Sequence, residues 1–193
     1  MAVELDYKSA IEEAFDVVKA NLGPSLAVGV ISIVPPLSLV APLVVVNFLV
    51  AVKQARKSGR PIEYGDLFNT ENLADKWVGT FLAGFAYTLC FFPGALFMFA
   101  PCILADRPGT PFVRALKAAF AFGKANLAGC LMLSVVCVVL ILLAQVVCLL
   151  PVLFALPTAH AAIFIVYEEH HTEVEAAAAE AAEAAEAAAA AAG

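Results

Sequence analysis

The side chains able to do chemistry in this chain are few, and most stand alone inside apolar sequence. His160 follows Pro157 in a run that holds no acidic or basic side chain besides it. An imidazole in such a place can relay a proton or serve as a ligand, but the preferred reading is a structural histidine held by a hydrogen bond. Asn47, Thr80, Tyr87, Thr88, Ser134 and Gln145 are the other polar residues in comparable surroundings. None is a carboxylate or a lysine, the groups that proton- and ion-coupled carriers ordinarily place at the middle of the bilayer. Glu168-Glu169-His170-His171 has the composition of a metal site. Zinc needs three or four ligands converging in space, whereas adjacent residues on a helix diverge, so a polar helix end without metal is expected.

Cys90, Cys102, Cys130, Cys137 and Cys148 all fall in apolar runs, with no CxxC spacing. A buried free cysteine behaves as a small hydrophobe, so packing is expected rather than a disulfide framework. No GxSxG, HExxH or glycine-rich phosphate loop is present. The chain is therefore read as a non-enzyme, with no catalytic residue, no cofactor and no metal.

The medium is easier to read than the chemistry. Of 193 residues 63% are hydrophobic and 15% charged, where a soluble domain is about half apolar and a quarter charged. The net charge of -6 comes from a C-terminal stretch holding Glu168, Glu169, Glu173, Glu175, Glu180, Glu183 and Glu186 without a lysine or arginine. Residues 1 to 16 are mostly acidic where charged, unlike a secretory signal.

Two copies of one stretch organise the rest. Ala14-Phe15-Asp16-Val17-Val18-Lys19-Ala20-Asn21-Leu22 returns 105 positions later as Ala119-Phe120-Ala121-Phe122-Gly123-Lys124-Ala125-Asn126-Leu127. Each copy carries a helical stripe, Ile11, Phe15, Val18 and Leu22 in the first and Leu116, Phe120, Gly123 and Leu127 in the second. Each leads into a long uncharged run, and both are expected to be amphipathic helices lying at a membrane interface. Asn21, Gly23 and Pro24 should end or kink the first helix. For the second, Thr110 reads as the N-cap with Pro111 in the first helical position.

Three uncharged runs follow this pattern: Leu22 to Val52, Trp77 to Ala105, and Leu127 to Val166 apart from His160. One crossing takes roughly 20 helical residues. The first run is long for one span and short for two, and Pro35-Pro36 breaks it into a compact hairpin or a kinked re-entrant element. Phe92-Pro93-Gly94 should break the second, and the third is long enough for two crossings around a turn near Cys148 to Pro151. Ser25 with Gly29, and Gly79 with Ala83, offer close-packing faces of small residues. The fold class expected is all-α, a polytopic membrane protein of three helical hairpins. It would comprise an interfacial helix at 1–22, a membrane domain with internal duplication at 22–167 and an acidic tail at 168–193, helical or disordered.

All lysines and arginines lie in the N-terminal segment or in the connections 53–76 and 106–124, and none lies near the three breaks. Six short segments put every charged connection on one face, which the positive-inside rule makes cytoplasmic, together with both termini. A four-segment alternative would leave Lys53, Arg56, Lys57 and Arg60 outside. That cluster is expected to anchor against anionic lipid rather than nucleic acid, with Trp77 as an interfacial aromatic. The tail should project from the bilayer surface, repelled by anionic lipid.

Several landmarks occur together: Lys19-Ala20-Asn21, Gly59-Arg60-Pro61 leading to Gly65-Asp66-Leu67-Phe68, Phe92-Pro93-Gly94, Ile103-Leu104-Ala105-Asp106, Ala115 to Asn126, and Pro157. Over residues 8 to 168 the chain resembles a large group of uncharacterised bacterial integral membrane proteins. That group is similar to the membrane domain attached to some glycerophosphodiester phosphodiesterases. The resemblance implies a polytopic helical protein of the bacterial inner membrane and brings no catalytic residue, the phosphodiesterase part having no counterpart here; the first two hairpins are shorter than the family's. The function expected is a non-enzymatic interaction or assembly module, its acidic tail offered to a cytoplasmic protein; the alternative is a component of a transporter or channel for a small or lipid-like solute.

Overall fold

The computed structural model describes residues 5–35, 37–89, 91–147 and 149–192, and every regular element among them is helical. In chain order these are α1 (Tyr7–Ala20), α2 (Leu22–Ile33), α3 (Ala41–Ser58), a 3-10 turn (Tyr64–Phe68), α4 (Leu73–Leu89), α5 (Phe91–Phe97), α6 (Ala100–Asp106), α7 (Phe112–Ala125), α8 (Leu127–Val147), α9 (Leu149–Glu169) and α10 (His171–Ala192). The side chains of Tyr87, Thr88, Cys90 and Cys148 lie outside the described residues.

The sequence repeat is a structural repeat. Asn21 ends α1 at φ -119° and ψ 48°, and Asn126 ends α7 at φ -121° and ψ 36°. Each asparagine turns its amide back on the helix it closes, Asn21 Nδ2 donating to the Val17 carbonyl at 2.9 Å and Asn126 Nδ2 to the Phe122 carbonyl at 3.2 Å. The same two carbonyls also accept the backbone N–H of Asn21 and Asn126, at 3.1 and 2.9 Å, so each corner is closed by a pair of bonds from one residue. At the first corner the axes of α1 and α2 differ by 105°. Pro24 then falls in the opening turn of α2, where its missing N–H costs nothing.

Which faces turn inward differs from the expected stripes. α1 buries Ala10, Ala14 and Val18, and α7 buries Ala115, Ala118, Ala119, Phe122 and Gly123. Phe15 and Phe120, in equivalent places, are 53% and 42% exposed. Such a pattern is the one expected where lipid lies outside: there large apolar residues gain nothing by turning inward, and small ones that let backbones approach mark the contact face. Gly123 illustrates this: a Cβ placed there would stand 2.8 Å from the Leu96 backbone of α5. The expected small-residue faces behave likewise, with Ser25 and Gly29 turned to α9, and Gly79 and Ala83 packed inside.

Among the described residues two helices are long and apolar enough to cross a membrane, within α8 (Leu127–Val146) and α9 (Pro151–Glu169), or three if the bent pair α1 and α2 is one broken span. They differ in setting. Only 22% of the α8 window is buried against 61% of the α9 window, so α9 is central and α8 flanks it. Met132, Val135, Val139, Leu142, Leu143 and Val146 all stand exposed on α8. A continuous apolar face of that length is foreign to a monomer in water.

Other expectations move in detail. Within the described residues the second run is broken at Met98-Phe99, while Pro93-Gly94 lies in the first turn of α5, where proline is accepted. Pro111, not Thr110, is the residue before α7, and no side chain of its own caps that helix. The open Phe112 N–H is instead met at 3.1 Å by Asp75 Oδ1, reaching across from α4. The tail is helical, and its first turns lie on α7 instead of projecting freely. Val174 is buried there, Ala177 and Ala178 pack against the core, and Arg107 pairs with Glu175.

Candidate functional site

α4, α8 and α9, with the α2–α3 turn and the α5–α6 segment, enclose a largely apolar cavity of about 570 Å³. Its walls include Val45, Phe81, Ala83, Met98, Val138, Ile141 and Ile163, and its polar side chains are Ser32, Ser38, Thr80, Ser134 and His160. Three of these five already spend their protons. Ser32 donates to the Val28 carbonyl at 2.8 Å, Ser38 to the Pro35 carbonyl at 2.7 Å, and Ser134 makes a weak contact of 3.7 Å with the Met98 sulfur. Thr80 and His160 are different. Thr80 is 9% exposed and its Oγ1 has no hydrogen-bond partner, although a helical threonine ordinarily bonds back to its own helix. His160 makes no hydrogen bond among the described residues, so the expected structural histidine with a bonded ring is not what is found.

The fold thus brings Thr80, Ser134 and His160 to one cavity and takes Asn47 and Gln145 elsewhere. Gln145 is exposed on α8, near its end. The cavity has the volume of a small-molecule site, and a hydroxyl with an imidazole on an apolar wall suits one polar group on a hydrocarbon ligand. Among the described residues no three of His, Cys, Asp and Glu converge as a metal set, the 168–171 segment included. His171 Nδ1 instead lies 3.0 Å from the Glu168 carbonyl.

A second feature gathers the charges. Glu13, Arg56, Lys57, Asp106, Glu168, Glu169 and His171 line a polar cleft of about 410 Å³. Arg56 holds Glu13 by two bonds, at 2.7 and 3.1 Å, and also pairs with Glu168. Burial by itself would lower the Arg56 pKa, but the hydrogen bonds and charges of Glu13 and Glu168 outweigh it and leave it raised. Lys53 pairs with Asp106, which also accepts from the Tyr167 hydroxyl at 3.2 Å. Arg60 lies 3.0 Å from Asp66, and Lys57 is 4.0 Å from Glu168. Lys53 and Arg56 are therefore spent within the protein, whereas the Lys57 and Arg60 side chains stay largely at the surface.

A third cluster is buried between α3, α4 and the connection that joins them. Asn47 donates to the Leu67 and Asn69 carbonyls at 3.0 and 2.8 Å and accepts from Lys76 Nζ at 2.8 Å. Lys76, just before the apolar run that opens at Trp77, is itself buried. It is 5% exposed. In the sequence this lysine is simply the last residue of the charged connection 53–76, with no sign of its burial. Trp77 donates to the Leu39 carbonyl at 2.6 Å and stacks on Phe81 at a centroid distance of 5.0 Å.

No family model, no curated protein and no solved structure matches this chain.

Proposed function

We propose that this chain is a multi-pass membrane protein that takes a lipid-like solute into the cavity between α4, α8 and α9, as a binding or transport component. The observation that carries this reading is a largely apolar cavity of about 570 Å³ in which the buried Thr80 hydroxyl has no hydrogen-bond partner and His160 lies on the same wall. A buried polar group without a partner costs about 1–3 kcal/mol, and a ligand hydroxyl or carbonyl would recover that loss. The apolar walls would cover its chain.

In the same reading the chain forms six short membrane segments, α2, α3, α4, the α5–α6 pair, α8 and α9. The polar cleft, with Arg56 and Asp106, lies on the cytoplasmic side of a bacterial inner membrane with both termini. The resemblance drawn from the sequence agrees with this placement. No reaction is assigned to the chain.

Mass spectrometry of protein extracted in mild detergent tests the proposal. A lipophile of defined mass should stay with the wild type, fall away in Gly84→Phe, which fills the chamber, and weaken in Thr80→Val and His160→Phe. Absence of any retained lipophile, or one indifferent to all three changes, would overturn it.

The second reading, an interaction module, draws on the outward position of Glu180 and Glu183 on α10. Deleting residues 172–193 should then remove a co-purified partner; an unchanged set of partners would remove the reading.

A further inference from the structure

The two copies of the repeat share an outward phenylalanine and lysine but differ in the sign of their net charge. On α7, Val113, Lys117, Phe120 and Lys124 stand at steps of four, three and four, so all four share one stripe, and all four are exposed. The buried face, Ala115, Ala119 and Phe122, lies on the other side of the helix. Arg114 flanks the stripe and is also exposed. α7 carries these three cations and no carboxylate, whereas α1 carries Lys8 and Lys19 against Glu12, Glu13 and Asp16. Among the described residues none of Arg114, Lys117 and Lys124 makes an ion pair, in contrast to the paired cluster at 53–60.

We propose that the outer stripe of α7 is a surface selective for anionic phospholipid, with Lys117 and Lys124 at the headgroup phosphates and Val113 and Phe120 in the acyl layer beneath. Charge complementarity commits the surface to this occupant. The aromatic and apolar residues need a medium without water, and lysines spaced along the same stripe reach a headgroup by their flexible stems while those neighbours insert. α1, with Phe15 and Lys19 in equivalent places but a net negative charge, rests on the bilayer without that preference. This surface is separate from the anionic-lipid contact expected at Lys53, Arg56, Lys57 and Arg60, where Lys53 and Arg56 are already paired. The inference rests on the membrane placement and not on the cavity.

The test uses Trp77→Phe/Phe120→Trp in vesicles of phosphatidylcholine with one-fifth phosphatidylglycerol. The bromine is carried on one lipid or on the other. Tryptophan at 120 should be quenched from the acyl layer, and more by brominated phosphatidylglycerol than random mixing allows. The preference should be roughly fivefold for each lysine, lost in Lys117→Gln/Lys124→Gln and weakened by high salt. The matching reporter Trp77→Phe/Phe15→Trp should show quenching without the preference. As a second measurement, wild-type chain released from the same mixture should retain phosphatidylglycerol in a mass spectrum, and the glutamine pair should not. An unquenched tryptophan would put the stripe in water, and equal quenching by both lipids would deny the selectivity. Either result overturns the proposal. Loss of the cavity ligand in the earlier experiment would leave this result untouched.

Discussion

Gly29→Ala tests the contact on which the arrangement of α2 and α9 depends. A Cβ at Gly29 would meet the Leu153 carbonyl oxygen and stand 2.8 Å from Leu153 Cα, so backbone and not a pliable side chain blocks it. Forcing one methyl into such a contact costs about 1–3 kcal/mol. Alanine returns about 0.5–1 kcal/mol through its better helix propensity. The net expectation is a loss of about 1–2 kcal/mol, with Gly29→Leu losing more because no space exists for the longer chain. Gly84 supplies the control, since a Cβ there meets nothing within 4 Å. Gly84→Ala should be neutral or stabilise by up to about 1 kcal/mol. Unfolding in mixed micelles with a rising fraction of sodium dodecyl sulfate, followed by far-ultraviolet circular dichroism, reads all three against the wild type. If Gly29→Ala unfolds at the same detergent fraction as Gly84→Ala, the two backbones do not meet at Leu153 and the packing described for α2 is wrong.

The same assay reads two further sites. Asn21→Ala removes the acceptor that takes the buried Ile62 N–H at 2.7 Å, and should cost about 1–3 kcal/mol. Asn47→Leu strands the Lys76 ammonium and the Leu67 and Asn69 carbonyls together, and should cost about 3 kcal/mol or more. Adding Lys76→Met should then cost less than the sum of the two single changes, a coupling that a double-mutant cycle measures; strict additivity would deny the contact. Val139→Arg places a charge on the exposed apolar face of α8. It should lower membrane insertion by about 2.5–3.5 kcal/mol on a translocon scale. An unchanged inserted fraction would mean that residue 139 does not sit in the hydrocarbon.

Much of the framework was readable in the residue order, and what escaped did so for definite physical reasons. The corner at Asn21 and its copy at Asn126 are local devices, each a side-chain amide bonded to a carbonyl four residues back, and the duplicated stretch announced them. Gly29 and Gly79 were recognisable as contact points because small residues spaced along a helix have few other uses in lipid. The inward faces of α1 and α7 were not recognisable. Of the stripe Ile11, Phe15, Val18 and Leu22 only Val18 is fully buried, and Ala10 and Ala14 complete the inward face of α1. Arg56 looked free because its partners are remote in sequence, Glu13 lying 43 positions away and Glu168 lying 112. Lys76 looked like a headgroup residue because nothing nearby in the chain revealed that Asn47 would receive it. The candidate site was half legible. Thr80, Ser134 and His160 could be picked out as polar residues in apolar runs. That the Thr80 hydroxyl has no hydrogen-bond partner depends on the packing of α4 against α8 and α9.

Spin labels placed singly along α8 test most directly whether lipid is the medium of this fold. Collision rates with molecular oxygen, which collects in hydrocarbon, and with a water-soluble nickel complex should be measured in reconstituted vesicles. At 135, 139 and 142, exposed on α8, labels should meet oxygen often and nickel rarely, while a label at the buried 133 should meet neither. Frequent nickel collisions at 139, in the middle of the helix, would place α8 in water and contradict the account.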